Sequence, residues 1–158
     1  MNKEILDILL SKSEIDCLKQ MYWYNDDISL CSNEKILNYF SDYNISILFD
    51  WAEINVESEL INFLNYRLGQ IGNEIKLGYN EMFQELTSYK YEKGEQLQYI
   101  LKHYNTLLYK KGFSIVYLNF YSQKEDYYRI FLINKSDIVK LIKQNNDVWN
   151  FYSPYITE

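Results

Sequence analysis

An α+β domain is what this sequence predicts: a small antiparallel or mixed sheet of about three strands packed against helices, behind a helical N-terminal section. Three observations lead there. Apolar residues recur at helical spacing through the first forty or so positions. Three later runs, Ile45–Trp51, Phe113–Tyr121 and Tyr127–Ile133, are β-branched and aromatic and too short for helices. Between the first and second of them the helical period returns twice.

The elements follow in order. Ile5, Leu6, Leu9 and Leu10 behind Asn2 predict a short amphipathic helix over residues 3–11. Ser13 offers an N-cap for a second helix running to about Tyr22, with Ile15, Leu18 and Met21 inward, and Asn25-Asp26-Asp27 breaks the pattern. A third helix starts after Ser32 or Asn33 and ends near Asp42, with Ile36, Leu37 and Phe40 on its apolar face. After the first strand, Leu60, Phe63, Leu64, Arg67, Leu68 and Ile71 trace a long helix from about Val56, closed by Gly72. Tyr79–Tyr89 is ambiguous and reads as one more helix before Gly94. From Glu95 the stripe Leu97, Ile100, Leu101, Tyr104, Leu107 and Leu108 makes a helix that stops at Lys110-Lys111-Gly112. Polar Ser122–Asp126 joins the last two strands as a hairpin. Ser136 caps a final helix to about Gln144, and an aromatic tail, Trp149–Tyr155, follows.

The 158 residues suit one domain, with 1–44 as a helical layer, 45–143 as the α+β core and 144–158 as the tail. With 47% apolar and 18% aromatic residues the chain has the material for a core, and no disulfide or metal is needed to close it. Cys17 and Cys31 form no metal-spaced pair and are expected to be free thiols, which fits a reducing cytoplasm. The opening MNKEILDILL carries Glu4 and Asp7 within its apolar stretch, so neither a signal peptide nor a membrane span is expected. Seventeen Tyr stand beside one Ala and one Pro. That skew resembles AT-rich coding first, and a Tyr-based recognition surface second.

Charge is divided unevenly. Residues 1–63 hold twelve Asp/Glu against four Lys/Arg, a net of −8, and residues 64–158 hold ten against twelve, which together give the overall −6. Such a field repels nucleic-acid phosphate and anionic membrane and attracts basic proteins. The candidate partner-binding residues are Asp26, Asp27, Glu53, Glu57 and Glu59. Glu57 and Glu59 also suit the positive end of the helix they begin. Asp50 with the acids after it marks the place where an enzyme or small-ligand pocket would sit, at the C-terminal end of a strand.

Other chemistry finds little support in the spacing. His103, the single histidine, has no nucleophile or carboxylate placed to work with it. Asp26-Asp27 lacks the pattern of a calcium loop, and Gly69, Gly72 and Gly78 follow a helix rather than leading into one, which is the wrong order for a phosphate cradle. Lys110-Lys111 with Phe113, Tyr117, Phe120 and Tyr121 invites comparison with an RNA-binding sheet, but the strand lacks the required motif and the net charge opposes phosphate. No cofactor and no metal site are expected.

The order of a strand ending Asp50-Trp51, an acidic-starting helix, a helix leading into Lys111-Gly112-Phe113, and the strand Tyr127-Tyr128-Arg129-Ile130-Phe131-Leu132 resembles a group of small uncharacterised bacterial domains over residues 45–143. The compact, acidic, aromatic-rich chain is similar in style to cytosolic immunity proteins of bacterial toxin systems. That resemblance implies a non-enzymatic domain that neutralises a basic cognate toxin by binding it. It transfers no contact residues. The alternatives are the ligand pocket near Asp50 and a structural subunit that associates through its aromatic tail.

Overall fold

The computed structural model describes residues 1–50, 56–79, 95–119 and 127–154. The ambiguous stretch after Tyr79, the hairpin loop at 122–126, and Glu53 lie outside them. Helix α1, Lys3–Leu9, is capped by the Asn2 side chain, which accepts the Ile5 N–H. Helix α2, Lys12–Lys19, begins at Ser11 rather than Ser13. Ser11 and Glu14 form a reciprocal capping box, each side chain accepting the other's backbone N–H, whereas Ser13 has no glutamate three positions further on. Helix α3, Asn33–Asp42, ends in a Schellman turn: Asn44 takes a left-handed conformation at φ 52°, and the Ile45 N–H returns to the Phe40 carbonyl at 2.8 Å.

Strand β1, Ser46–Asp50, leads to helix α4, Val56–Gln70. The same C-terminal motif closes α4, with Gly72 at φ 72° and the Asn73 N–H on the Leu68 carbonyl. Helix α5, Glu95–Tyr109, precedes strands β2, Phe113–Asn119, and β3, Tyr127–Asn134. Ser136 is not an N-cap. It lies inside a 3-10 turn, Lys135–Asp137, that runs directly into helix α6, Ile138–Lys143.

The sheet has four strands where about three were expected, in the order β1-β3-β2-β4, and every neighbouring pair is antiparallel. The fourth, β4, is Asn150–Tyr152 from the aromatic tail, with Phe151 opposite Leu118. Trp149 and Phe151 are only 2% and 1% exposed, so this part of the tail is core.

Helices cover both faces of the sheet. On one face α1, α2, α3 and α6 pack against Val116, Leu118, Phe131, Ile133 and Phe151. On the other, α4 and α5 pack against Phe49, Ile115, Ile130 and Leu132. Burial on both faces explains why β2 and β3 read as continuous apolar runs rather than alternating ones. The class is α+β, arranged as helix layer, sheet and helix layer.

Polar side chains tie the layers together where the backbone needs them. Asn105 of α5 is fully buried, and its Oδ1 accepts the Ile115 N–H at 2.6 Å and the Ser114 hydroxyl at 3.1 Å. Arg129 of β3 reaches the C-terminal part of α3, where Nη1 donates to the Leu37 carbonyl and the Ser41 hydroxyl, and also to Ser46. A cation suits that negative helix end, while burial draws the Arg129 guanidinium down to about 10. Cys17 is exposed and Cys31 buried, and both are free.

Candidate functional site

Between α2 and α3 the chain makes a connection whose inward side chains are anchored and whose outward ones are strongly exposed. Ile28 and Cys31 are buried, and Met21, Trp23 and Tyr24 pack against the same core. Local hydrogen bonds hold the backbone. The Asn25 N–H meets Cys31 Sγ at 3.2 Å, the Asn25 side chain accepts the Asp27 N–H at 2.9 Å, and Asp27 accepts both the N–H and the hydroxyl of Ser29. Asp27 thereby caps the 3-10 turn Ile28–Leu30.

Outward from this frame stand Tyr22, 92% exposed, and Leu30, 71% exposed, the two most exposed large apolar side chains among the described residues. Asp26 and Asp27 lie between them in the chain and are also exposed. Lys35 of α3 sits 5.4 Å from the centre of the Tyr22 ring, a cation–π contact that favours one placement of the aromatic. Burial and the Asp26 charge push the Tyr24 hydroxyl above its ordinary pKa. The connection thus carries an exposed aromatic, an exposed aliphatic side chain and two exposed carboxylates on a backbone held by local hydrogen bonds, with the cation of Lys35 beside the aromatic.

The four predicted site residues that are described do not form one cluster. Asp26 and Asp27 belong to the α2–α3 connection on one side of the sheet; Glu57 and Glu59 belong to α4 on the other. Glu57 accepts a hydrogen bond from the hydroxyl of buried Tyr104, which also reaches the Gly78 carbonyl at 3.1 Å, so it helps join α4 to α5. Glu59 is exposed and lines a groove of about 360 Å³ beside β1, with Ser46, Ile47, Asn62, Phe63 and Tyr66. Among the described residues Glu59 is the one carboxylate on that lining, with no histidine or cysteine beside it. His103 packs edge-on against Tyr104 with ring centres 5.0 Å apart. Among the described residues no group of three or more His, Cys, Asp or Glu is placed to hold a metal ion, and no helix is long and apolar enough to cross a membrane.

Tyr22 and Leu30 were not singled out by sequence reasoning. The signal available was negative: each lies beyond the regular helical stripe of its neighbours, which marks surface but not how a surface is used. No protein-family model, curated protein or solved structure matches this chain.

Proposed function

We propose that this protein is a non-enzymatic binding domain whose partner is a basic protein, with the α2–α3 connection at the centre of the contact. The observation that carries this reading is that one short connection holds the two most exposed large apolar side chains among the described residues, Tyr22 and Leu30, with Asp26 and Asp27 between them in the chain, on a backbone held by local hydrogen bonds. A preordered loop loses little entropy on association, Tyr is a frequent hot-spot anchor, and surrounding carboxylates steer a basic partner. An immunity protein facing a basic toxin, such as a nuclease with a positive cleft, is the form of this function that the acidic balance and the resemblance favour.

If a toxin-like reading frame neighbours the gene, its product is the probe, with association followed by surface plasmon resonance over a range of salt. Asp26→Asn with Asp27→Asn is expected to slow association and flatten its salt dependence. Tyr22→Ala with Leu30→Ala is expected to accelerate dissociation by roughly tenfold or more, the usual size for a hot-spot loss. Absence of binding by the wild-type pair removes the immunity reading, and unchanged rates in both doubles remove this surface from recognition.

A further inference from the structure

Strand β1 stands at one end of the sheet order, with β3 as its partner strand. Alternate residues of such an edge strand turn their backbone N–H and C=O groups outward. Among the described residues none of Ser46–Asp50 makes a backbone hydrogen bond outside the sheet ladder. The opposite edge, β4, is three residues long, whereas β1 is five and contains no lysine, proline or glycine to discourage pairing. Leu48, in the middle of β1, is 45% exposed.

The groove of about 360 Å³ lies between the first part of this strand and α4. Ile47 and Phe63 give it an apolar lining, and Glu59, Asn62 and Tyr66 of α4 are exposed along it. Glu59 has no ion-pair partner among the described residues, and no lysine or arginine is on the described lining. An extended peptide laid beside β1 meets the outward backbone groups with its own, and strand alternation sends every second side chain toward α4 and the others toward the face of Leu48. A second copy of this chain is the poorer occupant. Pairing β1 with β1 brings a second acidic edge to a seam that has no cation on its described lining, in a chain of net charge −6. A basic segment answers Glu59 instead.

We propose that the β1 edge takes up an extended basic peptide segment as an added strand. Its β-branched or aromatic side chains enter the groove against Ile47, Phe63 and Tyr66, and a lysine or arginine reaches Glu59. None of Tyr22, Asp26, Asp27 and Leu30 lines this groove, and the probes are peptides rather than a toxin, so this reading and the one for the α2–α3 connection fail separately.

A display library of short random peptides is panned on the full chain, and the selected peptides are synthesised and titrated by fluorescence anisotropy. They are expected to alternate β-branched or aromatic residues with others and to include lysine or arginine. Asn62→Trp, which fills the groove from an exposed position of α4, is expected to weaken binding roughly tenfold or more. Glu59→Gln is expected to weaken it roughly threefold, the size of one exposed charge contact. Methylating every second peptide amide is expected to abolish binding in one register and spare it in the other, because only alternate amides face β1. Hydrogen exchange of the Ser46–Asp50 amides is expected to slow in the complex, and this measurement on the wild type decides should Asn62→Trp fail to fold. The proposal is overturned if no peptide is selected, if the selected peptides lack basic residues, if Asn62→Trp folds and binds as the wild type does, or if the β1 amides exchange equally fast with and without peptide. A wild-type dimer in sedimentation that Asn62→Trp dissociates also overturns it, by giving the edge to a second copy.

Discussion

Glu14 shows how much one side chain can be asked to do. One oxygen takes the Arg67 guanidinium and the other the Ser11 N–H, while its backbone carbonyl accepts the Tyr39 hydroxyl at 2.7 Å. Burial alone would raise its carboxyl, but the Arg67 hydrogen bond, the Ser11 N–H and the Arg67 charge outweigh burial and hold it below the ordinary glutamate value. A carboxyl that titrates lower in the folded state contributes stability that is complete above its unfolded pKa and is lost as pH falls through the folded one. Glu14→Gln is therefore expected to cost about 3 kcal/mol near neutral pH, because Arg67 is left buried without its counter-charge. The gap from wild type should close in acid, where the wild-type carboxyl is itself neutral. Urea denaturation of both proteins across that range measures it; a gap that persists unchanged in acid assigns the loss to shape rather than charge. Glu14 is one acid among the twelve of the first part of the chain, and nothing local in the sequence pairs it with an arginine fifty-three positions away.

Among the elements, helix ends were legible where the capping chemistry is local. Gly72 and the stop after Asp42 follow from residue types that tolerate a left-handed backbone. Two neighbouring serines, Ser11 and Ser13, are a harder case, and the glutamate three residues after Ser11 decides it. Ser11→Ala is expected to lose about 1 kcal/mol of stability through the cap. Ser13→Ala, which removes only an exposed hydroxyl contact to Ser11 Oγ, is expected to stay within about 0.5 kcal/mol of wild type. Chemical denaturation of the two single variants separates them, and equal losses would mean that the capping box is not what starts α2. The strands were recognised by composition, yet their periodicity was uninformative, since a sheet covered on both faces buries consecutive residues.

On the scale of the whole molecule, the aromatic tail completes the sheet. Phe151 sits opposite Leu118 and contacts Phe131 edge-on at 6.0 Å, and Tyr152 stacks on Tyr117 at 5.4 Å. Trp149 is buried in the core that also takes the apolar faces of α1 and α6. Trp149→Ala is expected to destabilise the fold by about 3–5 kcal/mol, the range for truncating a buried aromatic. A melt within a degree or two of wild type would show instead that the tail is peripheral. The same burial withholds Trp149 and Phe151 from any partner, so association through the tail would have to use its remaining residues.

What the sequence determined by itself is what depends on neighbours along the chain: helical stripes, strand composition, the helix stop at Gly72, the α+β class and the uneven charge, while the N-caps expected at Ser13 and Ser136 fell elsewhere. The fourth strand, the second covered face, the Glu14–Arg67 pair and the separation of Asp26 and Asp27 from Glu57 and Glu59 were decided by tertiary structure alone. The physical reason is the range of the interactions. Capping and amphipathic period act within a turn or two, whereas a three-residue strand such as β4 has no stability until β2 and the core supply its hydrogen bonds and its apolar surroundings. A carboxylate likewise acquires its role only when folding sets a tyrosine, an arginine or open solvent beside it.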